Sequence, residues 1–210
     1  MSTNRKTHRD KSKLSGFEKL ERFHPYKTFL FFGIVGSTVL FLSVVFLYFL
    51  TVSRIGAAEN FVLPKAFSVS TVFLILSSYT ISGAVSAFRN DSFRNLKASL
   101  TGTFVLTIIF CVAQVIGWQK MVASGFYLDS NPGIAYLYIL SALHLLHVVG
   151  GLFYLLAITL TVYNKSNDIV KSLLYFTNEL QATRLQLVTA YWHFIDALWV
   201  LLFFMFLFTF

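Results

Sequence analysis

Four side chains that could do chemistry lie inside the apolar runs of this sequence: His144, His147, His193 and Asp196. The two histidines of the first pair are three residues apart, and so are His193 and Asp196, so each pair shares one face of a helix. A carboxyl group near the centre of a bilayer costs roughly 2.5–3.5 kcal/mol on insertion scales. The sequence therefore predicts a role for Asp196 that offsets this cost.

Three roles are open for these side chains. They could ligate a metal or a haem, they could relay protons or meet a lipid headgroup, or they could form a polar clamp between helices. A metal would need a further ligand and supporting hydrogen bonds that the sequence does not display. The clamp is favoured because a carboxylate–imidazole pair satisfies two costly groups with one contact. We hypothesise that Asp196 accepts a hydrogen bond from a histidine of the preceding span, which would tie the last two helices together.

The residues around these pairs would support the same seam. Trp192, Asp196 and Trp199 form a stripe at i, i+4 and i+7. The two indoles would pack between the last two helices or contact lipid. Gly151 is one of the small residues that would let the two helices approach closely.

Further polar residues lie in two other apolar runs. Ser77 and Ser78 fall near the middle of the second run, where hydroxyls bond to the backbone of their own helix or to a neighbouring helix. Gln114 is expected to be an interhelical hydrogen-bond donor. Trp118, one turn further on, is typical of an anchor at the membrane interface.

The composition is that of an integral membrane protein. Of 210 residues, 56% are hydrophobic and 12% are charged, whereas a soluble domain is about 25% charged. The net charge of +8 is concentrated in one tail and between the apolar runs, so it indicates membrane orientation rather than nucleic-acid binding. The single cysteine, Cys111, cannot form an internal disulfide, a covalent haem attachment or a two-thiolate copper site.

Five apolar runs are long enough to cross a bilayer, which takes about 20 residues. We place these spans near residues 27–52, 64–88, 98–119, 133–162 and 186–209. Fourteen of the 17 Lys and Arg residues lie in the N-terminal tail and in the second and fourth connecting segments. Because Lys and Arg accumulate on the cytoplasmic side, we expect an all-α bundle of five transmembrane helices with a cytoplasmic N-terminus and a periplasmic C-terminus.

Two segments outside the spans have the pattern of interfacial helices. Residues 1–26 would form a basic cytoplasmic tail whose short helix begins at the capping box from Ser15 to Glu18, and residues 27–210 would form the membrane domain. In the fourth connecting segment, apolar residues recur at helical spacing: Ile169, Leu173, Phe176 and Leu180. Both segments could lie on the membrane surface or contact a partner subunit.

The motifs around these polar residues resemble subunit III of the haem–copper oxidases of the cytochrome c oxidase type. Tyr191-Trp-His-Phe-Ile-Asp196, followed by Trp199, resembles the family's YWHF(V/I)DxxW in its last helix. His144-x-x-His147-Val148-x-x-Gly151 is similar to HGxHVxxG one helix earlier. Two weaker likenesses precede them in family order: LPxxNTxxLLxSSxT from Leu63 to Thr80, and QxxEW from Gln114 to Trp118.

The chain also departs from the family pattern. Ser37 stands where many members carry a buried Glu, which puts a proton-handling role of that helix in doubt. Gly117 replaces the Glu of QxxEW, and Ala142 replaces a Gly. The chain resembles the short bacterial form, which has five helices instead of seven; in some relatives the missing pair is attached to subunit I.

The resemblance implies a non-redox accessory subunit. The family transfers electrons from cytochrome c to dioxygen and pumps protons, but its catalytic subunit needs six intramembrane histidines and its dinuclear copper site needs two cysteines. This chain has three such histidines and one cysteine, so no catalytic, cofactor or metal site is expected in it. Haems and copper are expected in partner subunits I and II, with phospholipid held by this chain.

The implied setting is a bacterial inner membrane. Subunit I would be the direct partner, and cytochrome c or a fused or docked cytochrome domain would be the donor to the complex. The alternatives are the corresponding subunit of a quinol oxidase or nitric oxide reductase, a stand-alone membrane metalloenzyme built on the His/Asp set, and a small-solute or proton transporter. A transporter is disfavoured because no inverted repeat or broken helix is visible.

Overall fold

Five long helices make up the part of the chain that the computed structural model describes, which is residues 25–56, 61–166, 168 and 174–210. In chain order they are α1 (Pro25–Ile55), α2 (Lys65–Arg89), α3 (Phe93–Ala123), α4 (Pro132–Lys165) and α5 (Glu179–Thr209). Each is long and apolar enough to cross a membrane. The prediction of an all-α protein with five membrane-spanning helices is therefore confirmed, whereas its orientation in the membrane stays a prediction.

Two helices begin at least five residues before the spans placed from their apolar runs. The third begins at 93 rather than 98, because the Ser92 side chain accepts a hydrogen bond from the Asn95 amide (3.4 Å). The fifth begins at 179 rather than 186, because the Asn178 side chain accepts one from the Leu180 amide (2.9 Å). Such caps satisfy backbone N–H groups at a helix start, so the polar first turns outside the hydrocarbon are helical too.

The helices form a ring of four with one helix outside it. Helix α2 packs against α3, α3 against α4, α4 against α5, and α5 back against α2. Helix α1 packs against α4 and α5, and many of its large apolar side chains stay exposed, such as Phe29, Phe31 and Phe32. A side chain of the ring can therefore meet either of two neighbours, and the sequence alone does not say which.

Aromatic side chains cover one end of the ring. Phe176 lies 5.3 Å from Phe88 and 4.4 Å from Phe93, measured between ring centroids, and Tyr175 is buried beside them. This part of the fourth connecting segment thus packs on the chain's own helices. Leu180 lies in the first turn of α5 and is 44% exposed. The remaining predicted interfacial residues, the Ser15–Glu18 capping box with the helix after it and Ile169 and Leu173, lie outside the described residues.

Candidate functional site

Two buried tryptophans join α5 to α2. The Trp192 indole N–H donates to the Ser77 hydroxyl (3.2 Å), and the Trp199 indole N–H donates to the Thr71 hydroxyl (3.0 Å). Both indoles have no exposed surface. Because the two helices run in opposite directions, the i, i+7 tryptophans of one meet hydroxyls six residues apart on the other. We call the hydrogen bonds between α2 and α5, which include those of His193 described next, the α2/α5 seam.

His193 adds two hydrogen bonds to this seam. Its Nδ1 lies 2.7 Å from the Ser78 hydroxyl and its Nε2 lies 3.1 Å from the Ser82 hydroxyl. Ser82 donates its own hydrogen to the Ser78 carbonyl (3.0 Å), so the Nε2–H group donates to the Ser82 hydroxyl. The ring itself is exposed on the outside of the bundle.

The expected hydrogen bond between Asp196 and a histidine of α4 is not formed. The ring nitrogens of His144 have no hydrogen-bond partner among the described residues, and the Asp196 oxygens have no well-formed one, although both side chains are buried. The group that does act on the Asp196 carboxyl is the Ser78 hydroxyl of α2. His144 instead lies against the Trp199 ring, with centroids 4.9 Å apart, and against Phe110 at 5.8 Å. The tryptophan contacts with α2 set the rotation of α5, and an indole rather than a carboxylate then covers His144.

His147 joins α4 to α1 and α5. Its Nδ1 donates to the Leu143 carbonyl (2.8 Å), and its Nε2 lies 3.1 Å from the Ser37 hydroxyl, within hydrogen-bond distance. The Tyr191 hydroxyl donates to the His147 carbonyl (3.0 Å). Ser37 is the residue at which the resemblance drawn from the motifs would place a Glu, so in this chain a neutral hydroxyl meets the imidazole.

Two glycines are required by close contacts. A Cβ on Gly151 would lie 2.8 Å from Cε1 of Tyr191 and 3.2 Å from Cζ3 of Trp192. A Cβ on Gly117 would lie 2.8 Å from Cε2 of Phe67. The first glycine lets α4 approach α5, and the second explains why the Glu of the family's QxxEW motif has no room in this chain.

The flanking motif residues connect α3 to both of its neighbours. Gln114 donates to the Ser70 hydroxyl of α2 (2.9 Å), and Trp118 donates to the Ser141 hydroxyl of α4 (3.0 Å). The predicted polar residues are thus distributed over contacts between several helices. They do not converge on one point: within the described ranges, no three His, Cys, Asp or Glu side chains are grouped as a metal site would require.

The fold and these contacts define a class of protein. The chain is a multi-pass membrane protein whose described helices are joined by indole, imidazole and hydroxyl groups and hold no cluster of metal ligands.

Comparison with known proteins shows which membrane proteins this chain is similar to. No protein-family model matches the chain. Cytochrome bo(3) ubiquinol oxidase subunit 3 of Buchnera aphidicola subsp. Acyrthosiphon pisum is 26% identical over 172 residues, which cover 80% of this chain and 78% of the relative. Cytochrome c oxidase subunit 3 of Bacillus sp. strain PS3 is 28% identical over 178 residues, covering 83% and 80%. The probable cytochrome c oxidase subunit 3 of Mycobacterium tuberculosis is 31% identical over 135 residues, covering 63% and 61%.

The chain is a homologue of these bacterial oxidase subunits 3, and the resemblance drawn from its motifs is confirmed. The names of the relatives differ in the electron donor, which is ubiquinol in one and cytochrome c in the others.

Proposed function

We propose that this chain is the non-redox subunit III of a proton-pumping terminal oxidase that transfers electrons from cytochrome c to dioxygen. The observation that carries the proposal is similarity over about four fifths of the chain to named oxidase subunits 3. The redox chemistry belongs to partner subunits I and II, which hold the haems and copper. This chain packs directly against subunit I in a bacterial inner membrane, with its N-terminus in the cytoplasm.

The proposed contribution to the complex is mechanical. A five-helix body can support a catalytic partner during assembly and turnover only if its own helices keep fixed relative positions. The α2/α5 seam and the His147 contacts supply such constraints, because hydrogen bonds between membrane helices restrict their rotation and sliding. His144 and Asp196 fill the interior between these contacts.

The chain also offers a place for lipid. A cavity of about 430 Å³ opens between α1, α4 and α5. Its walls are mostly apolar, and the Ser37 hydroxyl and His147 ring line its polar part. We propose that a phospholipid chain occupies it, since an apolar cavity open to the bilayer takes up acyl chains.

A quinol oxidase is the second candidate, because cytochrome bo(3) ubiquinol oxidase subunits are among the relatives. The two candidates share the structural role and differ in the donor to the partner subunits. No described residue of this chain decides between them.

The test is gentle purification of the tagged chain from its native membrane. We expect haem bands in the reduced-minus-oxidised spectrum, together with a large polytopic partner and a cupredoxin-like partner. Oxidation of reduced cytochrome c by the complex supports the first candidate, and oxidation of a quinol alone supports the second. A chain that purifies alone, colourless and with stoichiometric metal would overturn both and return the His/Asp set to consideration as an active site.

A further inference from the structure

One outer surface of the bundle carries polar side chains well inside the span. It runs along the outside of the contact between α2 and α5 and is built from the exposed residues Tyr79, Ser82, Gln186, Ala190, His193 and Ala197. We call it the α2/α5 outer face. It is continuous with the α2/α5 seam, because His193 and Ser82 belong to both.

Tyr79 is the most informative residue of this face. Its side chain is 80% exposed, and it lies ten residues from the Arg89 end of α2, which is about 15 Å along the helix axis. That distance is half of a hydrocarbon core of about 30 Å. Tyrosines that face lipid are concentrated at the membrane interfaces, where the hydroxyl reaches water. Here the hydroxyl is at mid-depth, and no residue within the described ranges forms a hydrogen bond with it.

The other outer faces have a different composition. On α3 the exposed side chains at mid-span are aliphatic, such as Val105, Ile108 and Val112. On α4 most are apolar, such as Leu146, Phe153 and Leu160; Tyr154 is 44% exposed there but, unlike Tyr79, has an interaction partner. These surfaces suit acyl chains, which offer no hydrogen bonds. A phenol exposed at mid-depth without a hydrogen bond does not suit them, because unsatisfied polar groups are costly in hydrocarbon.

The same face has the shape that helices use to pack in membranes. Ala190, His193 and Ala197 lie along one side of α5 at i, i+3 and i+7, and Ser82 lies beside them on α2. Small residues in such a row let a second helix approach closely, and polar neighbours then form hydrogen bonds with it. Beyond Gln186 the polar character continues into a cavity of about 250 Å³ that Arg89 and Asp91 also line, so the face is polar from mid-span to one end of the bundle.

We infer that the α2/α5 outer face docks a transmembrane helix of the redox-carrying partner subunit, and that this helix presents a hydrogen-bonding side chain to Tyr79. The inference rests on the proposed function for the existence of that partner. It adds which surface of this chain meets it and the chemistry that the partner helix must carry.

The experiment places a photo-crosslinking residue on the two outer surfaces of the complete complex. Tyr79→p-benzoylphenylalanine tests the α2/α5 outer face. Phe153→p-benzoylphenylalanine is the matched control, because Phe153 is also aromatic, is 70% exposed and lies on α4, diagonally across the ring from α2. Each variant is irradiated in the native membrane, and the cross-linked chains are identified by mass spectrometry.

We expect Tyr79→p-benzoylphenylalanine to cross-link to the haem-bearing subunit and the Phe153 control to give lipid adducts or none. If the haem-bearing subunit co-purifies but cross-links only from Phe153, or from neither position, the inference is overturned while the proposed function stands. If no haem-bearing subunit co-purifies and Tyr79→p-benzoylphenylalanine captures another chain, both are overturned.

A pair of alanine substitutions gives an independent readout. Ala197→Leu enlarges a residue of this face, whereas Ala142→Leu makes the same change at an exposed position of α4. Lipid tolerates the added methyl groups, but a closely packed helix does not. We expect at least a fivefold loss of co-purifying haem-bearing subunit with Ala197→Leu and no loss with Ala142→Leu. Equal recovery of the partner from both variants would overturn the inference.

Discussion

Two consecutive glycines of α4 allow a sharp test of the packing between α4 and α5. A Cβ added at Gly151 would lie 2.8 Å from Cε1 of Tyr191 and 3.2 Å from Cζ3 of Trp192, whereas at Gly150 nothing lies within 4 Å. The neighbours of Gly151 cannot move aside easily. The Tyr191 hydroxyl is bonded to the His147 carbonyl, and Trp192 is fully buried and bonded to α2.

The size of the effect follows from comparing Gly151→Ala with Gly150→Ala. Alanine is favoured over glycine inside a helix by about 0.8–1 kcal/mol, and both variants share this gain. Only Gly151→Ala adds an overpacking cost, which is typically about 1–3 kcal/mol. We therefore expect this amount as the difference in unfolding free energy between the variants. For a chain of this size it corresponds to a difference in Tm of about 2–12 °C.

The chain supplies its own reporter for the measurement. Cys111 is the only cysteine and is partly buried in α3, so a maleimide dye that fluoresces on reaction follows its exposure during heating in detergent. Gly150→Ala should melt at or slightly above the wild-type temperature, and Gly151→Ala should melt below Gly150→Ala. Equal melting temperatures for the two variants would refute the close approach of α4 to α5 at Gly151.

Three further predictions concern individual side chains. In a double-mutant cycle, Trp199→Phe and Thr71→Val should show a coupling of about 0.6 kcal/mol and no more than about 1.7 kcal/mol, and a coupling of zero would contradict the hydrogen bond between them. Asp196→Asn should leave the Tm of the isolated chain unchanged, because the described group that acts on the carboxyl is the Ser78 hydroxyl, from which an amide oxygen can accept equally well; a fall as large as that of Trp199→Phe would contradict this reasoning. Burial raises the pKa of Tyr175 to about 12, against the opposing effect of the Arg184 charge. The folded chain therefore holds this proton more tightly than the unfolded chain, and the stability it contributes is present below pH 10 and lost as the pH rises toward about 12. Tyr175→Phe should accordingly leave the tyrosinate absorbance near pH 10 unchanged and reduce it near pH 12.

The membrane spans and the polar residues within them could be read from the sequence. Apolar runs of 20 residues or more have one stable form in a bilayer, which is the helix, because every backbone group must be satisfied inside the segment. The positions of α1 to α5 followed from this constraint alone. The ends of α3 and α5 did not, because their first turns are polar and depend on the caps at Ser92 and Asn178.

The partners of the polar residues could not be read in the same way. Helical spacing establishes that His193 shares a face with Asp196, but it does not say which neighbouring helix that face meets. The predicted contact is with α4, one helix earlier, because the other two histidines lie there. The structure pairs His193 with Ser78 and Ser82 of α2 instead.

The sequence by itself therefore determined the class of protein, the number of spans and the group of oxidase subunits to which the chain is related. Only the tertiary structure decided which helices its polar side chains join. The physical reason is that span formation is a local property of each segment, whereas the rotation of α5 is set by long-range contacts. Trp192 and Trp199 must place two indole N–H groups on hydroxyls 115 and 128 residues away, and that requirement turns Asp196 away from the histidines of α4.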